Sequence, residues 1–479
     1  MPVAEGPAVD EPSPSAPAFD QDPRELSAFV TQGLLCEAQG DLHGAEAAFR
    51  VVAESDHPDD APGAAYHLGR LLERQGDVDG AKEAYQAAIS SRHPDQAPRA
   101  AFNLGILLED NGDPEGASEA YRMAMGSSHP DQAPRAAFNL GVLLAGQGAA
   151  KRAKDAYRRA IDSAHPDRAP RAAFNLGVLL ADQGDAEGSE TAYRRVIDSG
   201  HPDLAPEAAV NLGVLMAARG ERASAEDELR HAIASGSATA AALAAVNLAF
   251  LLEDDGDVGG ASAAYQAAIG SGHPDQAPRA AFHLGGLLDD QGDIEGATAA
   301  YRWAIESHHP DQAPRSAFNL GFLLARAGNT PGALAAYRLT IDSGHPDRAP
   351  EAAVNLGVLL AAHGDAIGAT AAYRRAMASA HEDARWLAAR NLGVLLAGEG
   401  DVDDAEVELR RVVDSGHPLQ APEAAVNLGV LLHNRGEVDA AEVEFRCAID
   451  SDHEEAASLA AVNLDALFVR RRYVETLAG

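Results

Sequence analysis

Along almost the whole chain the tripeptide His-Pro-Asp, or a trace of it, returns every 36 residues: His57, His93, His129, His165, His201, His273, His309, His345, His381, His417 and His453 share one register. Ser237 alone breaks the series, and because it keeps the spacing the break is a substitution inside an intact repeat. A fixed period of this size predicts a solenoid, in which each unit buries its apolar face against its neighbours.

Residues 98–133 show what one unit contains. Its first helix starts near Pro98, where the missing N–H has no helical partner, with Asp95 as the expected cap, and it stops at Gly112. Asp113 then caps a second helix whose Pro114 takes the first helical position, and that helix runs through Tyr121 and Ala124 to the Gly or Ser before His-Pro. On a 3.6-residue wheel the first helix places Ala101, Leu104, Gly105, Leu107 and Leu108 on one side, and Arg99, Phe102, Asn103, Ile106 and Asp110 on the other. The unit is a helical hairpin, and the chain is expected to be all-α.

Composition narrows the partners. With 38 Lys+Arg against 73 Asp+Glu the formal charge is −35, which opposes nucleic-acid phosphates and anionic membrane surfaces and favours neutral to basic protein or peptide partners. Hydrophobic residues make up 46% of the chain but aromatics only 5%, so small side chains, alanine above all, suit closely stacked helices. Cys36 and Cys447 are the only cysteines and offer neither a disulfide framework nor half of a Cys-x-x-Cys metal site. The N-terminus lacks a basic leader with an apolar core, and no stretch approaches the roughly 18 uninterrupted apolar residues of a membrane span. A cytoplasmic protein is expected. The arginine excess, with lysine only at 82, 151 and 154, and the abundant alanine and glycine fit a high-GC bacterium.

The unit resembles the tetratricopeptide repeat, whose pattern asks for Leu-Gly in the first helix, a glycine at its end, then Ala, an aromatic and Ala on the second. Here these are Leu104, Gly105, Gly112, Ala117, Tyr121 and Ala124. The inter-repeat loop is slightly longer than usual, and Ala101 stands where an aromatic is common. The resemblance implies an α-solenoid of about twelve hairpins in a right-handed superhelix: a Pro/Ala/acidic disordered tail over 1–21, repeats over 22–457, and a capping helix over 458–479 that carries Asp465 and Arg470–Arg472. It also implies a non-catalytic interaction scaffold.

A quieter ladder runs through the same register. Asn103, Asn139, Asn175, Asn211, Asn247, Asn319, Asn355, Asn391, Asn427 and Asn463 hold one position of the first helix, with Thr31, His67 and His283 replacing it elsewhere. Asparagine is a mediocre helix former, so something other than propensity keeps it. First helices line the concave surface of tetratricopeptide arrays, where an amide can donate to and accept from the backbone of an extended peptide. A similar asparagine ladder holds peptide backbone in the superhelix of the O-linked N-acetylglucosamine transferase family. The alternative is that each asparagine bonds a neighbouring helix and fixes the stacking. Phe102, Phe138 and Phe174 precede the ladder, and Ile106 with Val142, Val178 and Val214 follows it, making either an apolar groove studded with amides or a stripe half-buried between adjacent first helices. One turn earlier, Arg99, Arg135 and Arg171 alternate with Glu207, Glu351 and Glu423 elsewhere, so groove charge varies in patches.

Other chemistry is not expected. Zinc needs three or four ligands within about 2.0–2.3 Å, and histidines from successive repeats, separated by packed helices, do not converge so closely, so the ladder reads as loop packing and capping of the preceding helix, with no metal or cofactor. No phosphate-binding glycine loop occurs, and the carboxylates recur as caps without a singular acid–base pair. Structural self-assembly of the near-identical repeats is the second functional expectation.

Overall fold

The structure is a computed structural model that describes residues 23–478, with side chains from Arg24 to Val469. The tail assigned to 1–21 and the side chains of Arg470–Arg472 lie outside the described residues. Every described element is a helix, and the helices divide between two compact units, Met1–Glu228 and Leu229–Gly479.

The first unit holds α1 (Pro23–Gln39), α2 (Leu42–Ala53), α3 (Asp60–Gln75), α4 (Val78–Ser90), α5 (Gln96–Asp110), α6 (Pro114–Met125), α7 (Gln132–Gly146), α8 (Ala150–Asp162), α9 (Arg168–Asp182), α10 (Ala186–Asp198) and α11 (Leu204–Ala218). Helix α12 (Arg222–Ala234) contains the division. The second unit continues with α13 (Ala238–Asp254), α14 (Val258–Gly270), α15 (Gln276–Asp290), α16 (Ile294–Glu306), α17 (Gln312–Arg326), α18 (Thr330–Asp342), α19 (Arg348–Ala362), α20 (Ala366–Met377), α21 (Glu382–Glu399), α22 (Val402–Asp414), α23 (Gln420–Arg435), α24 (Val438–Ile449) and α25 (Glu454–Ala478). Twelve odd–even pairs and a final odd helix result, and α25 begins ahead of the expected Ser458.

Within each unit an odd helix packs on the even helix that follows it, and that helix on the next odd one. Odd helices also touch each other, as α3 does α5 and α15 does α17, so they form the inner, more closely spaced row. The glycine of the Leu-Gly pair allows this packing. A Cβ on Gly105 would stand 2.5 Å from Cδ1 and Cε1 of Tyr121, whose ring is fully buried.

The turn inside the hairpin follows its residues. Gly112 adopts φ +76, its N–H and that of Asp113 donate to Glu109 O and Leu108 O, and Asp113 then accepts from Gly116 N at 2.9 Å. The junction between hairpins differs from expectation. Asp95 and Asp131 stand at helix starts but accept no capping hydrogen bond. The cap is the histidine: Nδ1 of His129 accepts from Asp131 N and Gln132 N, both at 3.2 Å, and so starts the following helix. Ser127 closes the preceding one, donating to Ala124 O at 2.7 Å and accepting from His129 N. The His-Pro motif thus caps the helix ahead of it, where the sequence suggested the helix behind.

Candidate functional site

Every ladder asparagine lies half-buried on an odd helix. Three of the amides have a hydrogen-bond partner in the even helix of the preceding hairpin. Asn103 Nδ2 donates to Tyr85 Oη, Asn139 to Tyr121 and Asn319 to Tyr301, each at 3.5 Å and each 18 residues along the chain. Asn175, Asn211 and Asn355 follow Tyr157, Tyr193 and Tyr337 at the same spacing, close enough to temper the upward pKa shift that burial gives each hydroxyl. Tyr85 passes the chain on, donating to Glu73 at 2.5 Å, as Tyr121 does to Glu109 at 2.8 Å and Tyr265 to Glu253 at 2.7 Å. Burial first, then the neighbouring carboxylate, pushes the hydroxyls of Tyr85 and Tyr121 far above the ordinary phenol range, so they remain donors at any physiological pH. At Asn103, Asn139 and Asn319 an inter-repeat hydrogen bond accounts for the amide.

Other positions lack that account. The residue 18 places before Asn247 is Leu229 and before Asn427 is Leu409, neither of which carries a hydroxyl. Asn391 follows Tyr373 but makes no hydrogen bond among the described residues. Asn463 follows Phe445 and turns back to its own helix, donating to Leu459 O at 2.9 Å. Asparagine persists where its structural partner has been removed.

The flanking residues separate into two groups. Phe102 is buried, packs against Tyr121 with ring centroids 6.1 Å apart and lies under the guanidinium of Arg135 at 4.9 Å. It therefore belongs to the interface between hairpins, although the wheel sets it on the side of the helix opposite the Leu-Gly core. Phe138 and Phe174 are half-buried against Tyr157 and Tyr193, and Arg168 stacks on Phe138. Arg99, Arg135 and Arg171 are engaged by Asp95, Asp131 and Asp167 at 3.1, 3.4 and 2.9 Å. The same aspartates receive the next repeat's histidine: His129 Nε2 lies 3.1 Å from Asp95 and His165 Nε2 3.3 Å from Asp131. For Asp131 partial burial raises the carboxyl pKa, but bonds from His165 and Arg135 outweigh it and hold it below the usual range. For Asp167 the bond from Arg171 leads and the shift is also downward. A belt of His, Asp and Arg thus joins hairpin to hairpin.

What stays open on the inner row is the position three residues after the asparagine. Val142, Val178, Val214, Phe322, Val358, Val394 and Val430 are all exposed. In α21–α25 this stripe borders two cavities. One of about 330 Å³ is lined by residues that include Val394, Leu409, Asn427, Val430 and Asn434. The other, about 410 Å³, is lined by residues that include Arg390, Asn391, Val394, Glu423, Asn427 and Glu455. Arg390 occupies the phenylalanine position and pairs with Glu423, which holds the arginine position of the next repeat.

A family model described as tetratricopeptide repeat matches residues 66–132, 138–209, 174–241, 246–302, 284–347 and 390–456. The chain belongs to the tetratricopeptide repeat family. No curated protein matches it significantly. Among solved structures, this tetratricopeptide chain is similar to c5321, a protective antigen of uropathogenic Escherichia coli displaying an SLR fold, at 20% identity over 89% of this chain and 90% of that one, TM-score 0.40. It is also similar to yeast Tom70, at 13% identity over 94% and 96%, TM-score 0.35, and to Naa15/Naa10 bound to HypK-THB, at 16% identity over 91% and 65%, TM-score 0.42. Tetratricopeptide repeats typically form non-catalytic scaffolds that mediate protein–protein interactions, and no described helix is long and apolar enough to cross a membrane.

Proposed function

We propose that this protein is a scaffold whose inner row of odd helices holds an extended, neutral to basic segment of a protein partner in the cytoplasm, with α21–α25 as its most developed section. The observation that carries the reading is Asn427, retained although Leu409 replaces the tyrosine that would explain it. Its amide, with that of Asn391, lines open cavities beside the exposed Val394 and Val430, where main-chain N–H and C=O groups of a peptide can satisfy both ends of each amide. The acidic charge favours the partner's sign, and the two unpaired cysteines fit a reducing compartment.

The test uses peptides selected on the full-length chain from a random dodecamer phage library. Asn391→Ala with Asn427→Ala should weaken their binding about tenfold or more, the size expected for two lost hydrogen bonds. Helicity and melting should be unchanged or slightly improved, because alanine is the better helix former. Unchanged affinity in the double variant would refute the role of the ladder.

A further inference from the structure

In the second unit the exposed valine stripe is interrupted. On α13, α15 and α17 the position reads Phe250, Gly286 and Phe322, a void between two large rings. Glycine is the poorest ordinary residue for a helix interior. Nothing in the packing requires it here: the only heavy atom within 4 Å of a Cβ on Gly286 would be Tyr301 Oη, at 3.8 Å, an ordinary contact. This is the reverse of the neighbouring Gly285, whose Cβ would stand 2.5 Å from the ring of Tyr301.

The walls and floor of the notch are defined. Phe322 is 50% exposed with the Arg326 guanidinium 5.7 Å from its ring, and Phe250 stands edge-on to His283 at 4.7 Å. The floor is Tyr301, 2% exposed. Its oxygen accepts from Asn319, but its O–H has no acceptor among the described residues. At Tyr85, Tyr121 and Tyr265 a glutamate 12 residues earlier fills that role. Here the residue is Asp289, one methylene shorter, which is held by Arg326 through Oδ2 at 3.4 Å while Oδ1 is buried without a partner. A buried donor therefore borders space that a side chain fills in other repeats.

We propose that the notch over Gly286 is a specificity subsite of the groove and takes an aromatic side chain of the bound peptide, tyrosine in preference to phenylalanine. The proposal rests on the peptide-groove reading above. The inserted ring lies over α15 between Phe250 and Phe322, and its hydroxyl oxygen accepts from the Tyr301 O–H. The exposed Asp290, one turn beyond Gly286 and outside the Asp289–Arg326 pair, sets the sign of the neighbouring residue, so the aromatic is flanked by lysine or arginine.

The experiment pans a random dodecamer phage library on the full-length chain and on Gly286→Val, which installs the residue usual in other repeats, and on Tyr301→Phe. The wild type should enrich an aromatic beside a basic residue, with tyrosine above phenylalanine. Gly286→Val should lose that position, and selected peptides should bind it about tenfold or more weakly, while its helical spectrum and melting are retained. Tyr301→Phe should keep the aromatic but lose the preference for tyrosine. If Gly286→Val selects the same motif as the wild type, the subsite is overturned and the groove reading stands. If the wild type enriches nothing above bare support, both fall. Should Gly286→Val fold poorly, Phe322→Ala, which removes a wall from the exposed side, must weaken the same peptides; unchanged binding there overturns the subsite.

Discussion

Glycine to alanine should have opposite signs at two positions of this chain. Gly105→Ala drives a methyl to 2.5 Å from two ring carbons of Tyr121, against ordinary contacts near 3.4–4 Å. The ring has little room to retreat, being fully buried, bonded to Glu109 at 2.8 Å, and braced by Phe102. Overpacking of this kind costs about 1–3 kcal/mol, and displacing the tyrosine hydroxyl from its acceptor adds about 1 kcal/mol. The better helix propensity of alanine returns about 1 kcal/mol, leaving a net local loss of about 1–3 kcal/mol. Gly286→Ala meets only ordinary contact and keeps the propensity gain, so it should stabilise by up to about 1 kcal/mol. Because arrays of repeats unfold in nearest-neighbour steps, a single melting temperature blurs such effects. Hydrogen exchange read by mass spectrometry resolves them: α5 and α6 should exchange about tenfold faster in Gly105→Ala, and α15 no faster than wild type in Gly286→Ala. Equal protection in Gly105→Ala and wild type would refute the packing argument, and a loosened α15 in Gly286→Ala would show that this glycine is structural.

His129→Ala removes the Nδ1 acceptor for two backbone N–H groups and the bridge to Asp95, so the start of α7 should lose about 1–2 kcal/mol of local protection in the same exchange experiment, while α5 keeps its own cap from His93. Acid should act in two steps. Burial, with Arg279 and Arg315 nearby, lowers the His283 imidazole to about 4, below its unfolded value near 6.5, so its contribution is complete above pH 6.5 and declines as pH falls toward 4. Discounted for partial exposure this is about 1–2 kcal/mol, and His283→Asn should flatten the melting profile over that window. Asp131, Asp167 and Asp311 are held below the usual carboxylate range, so their contribution is present above about pH 4 and lost as pH falls through the lowered values.

Much of the hairpin is legible in residues 98–133 alone, because its signals are local: Gly112 takes the left-handed turn, and Asp113 and Pro114 open the second helix where a cap and a first-turn proline belong. The misassigned features depend on neighbours that a single helical wheel does not contain. Phe102 falls on the polar side of its own helix, yet the next hairpin covers it through Arg135. Asp95 has the position of a cap, yet His93 reaches the same amides first, leaving Asp95 to the histidine of the following repeat. The asparagine–tyrosine bond is also legible, since an asparagine, or a histidine at His67 and His283, stands 18 residues after each second-helix aromatic once both ladders are written out, as are the interruptions at Leu229 and Leu409.

Those interruptions matter because the array has a default solution at each contact, and departures from it measure what stacking alone leaves unexplained. The standard joint between hairpins is an arginine over the preceding phenylalanine, as at Arg135 and Phe102 or Arg315 and Phe282. Toward the C-terminal end the same two positions become Arg390 with Glu423, then Val426 with Leu459. Either pair can join helices, so the change of chemistry is not demanded by the joint itself. Burial lowers the pKa of Arg390, and setting a guanidinium in that place is the more expensive way to fill it. All four residues line the 410 Å³ cavity with Asn391 and Asn427, the amides that have lost or declined their tyrosines. Altered joints and amides without a tyrosine bond meet on this one cavity, as the proposed peptide groove requires.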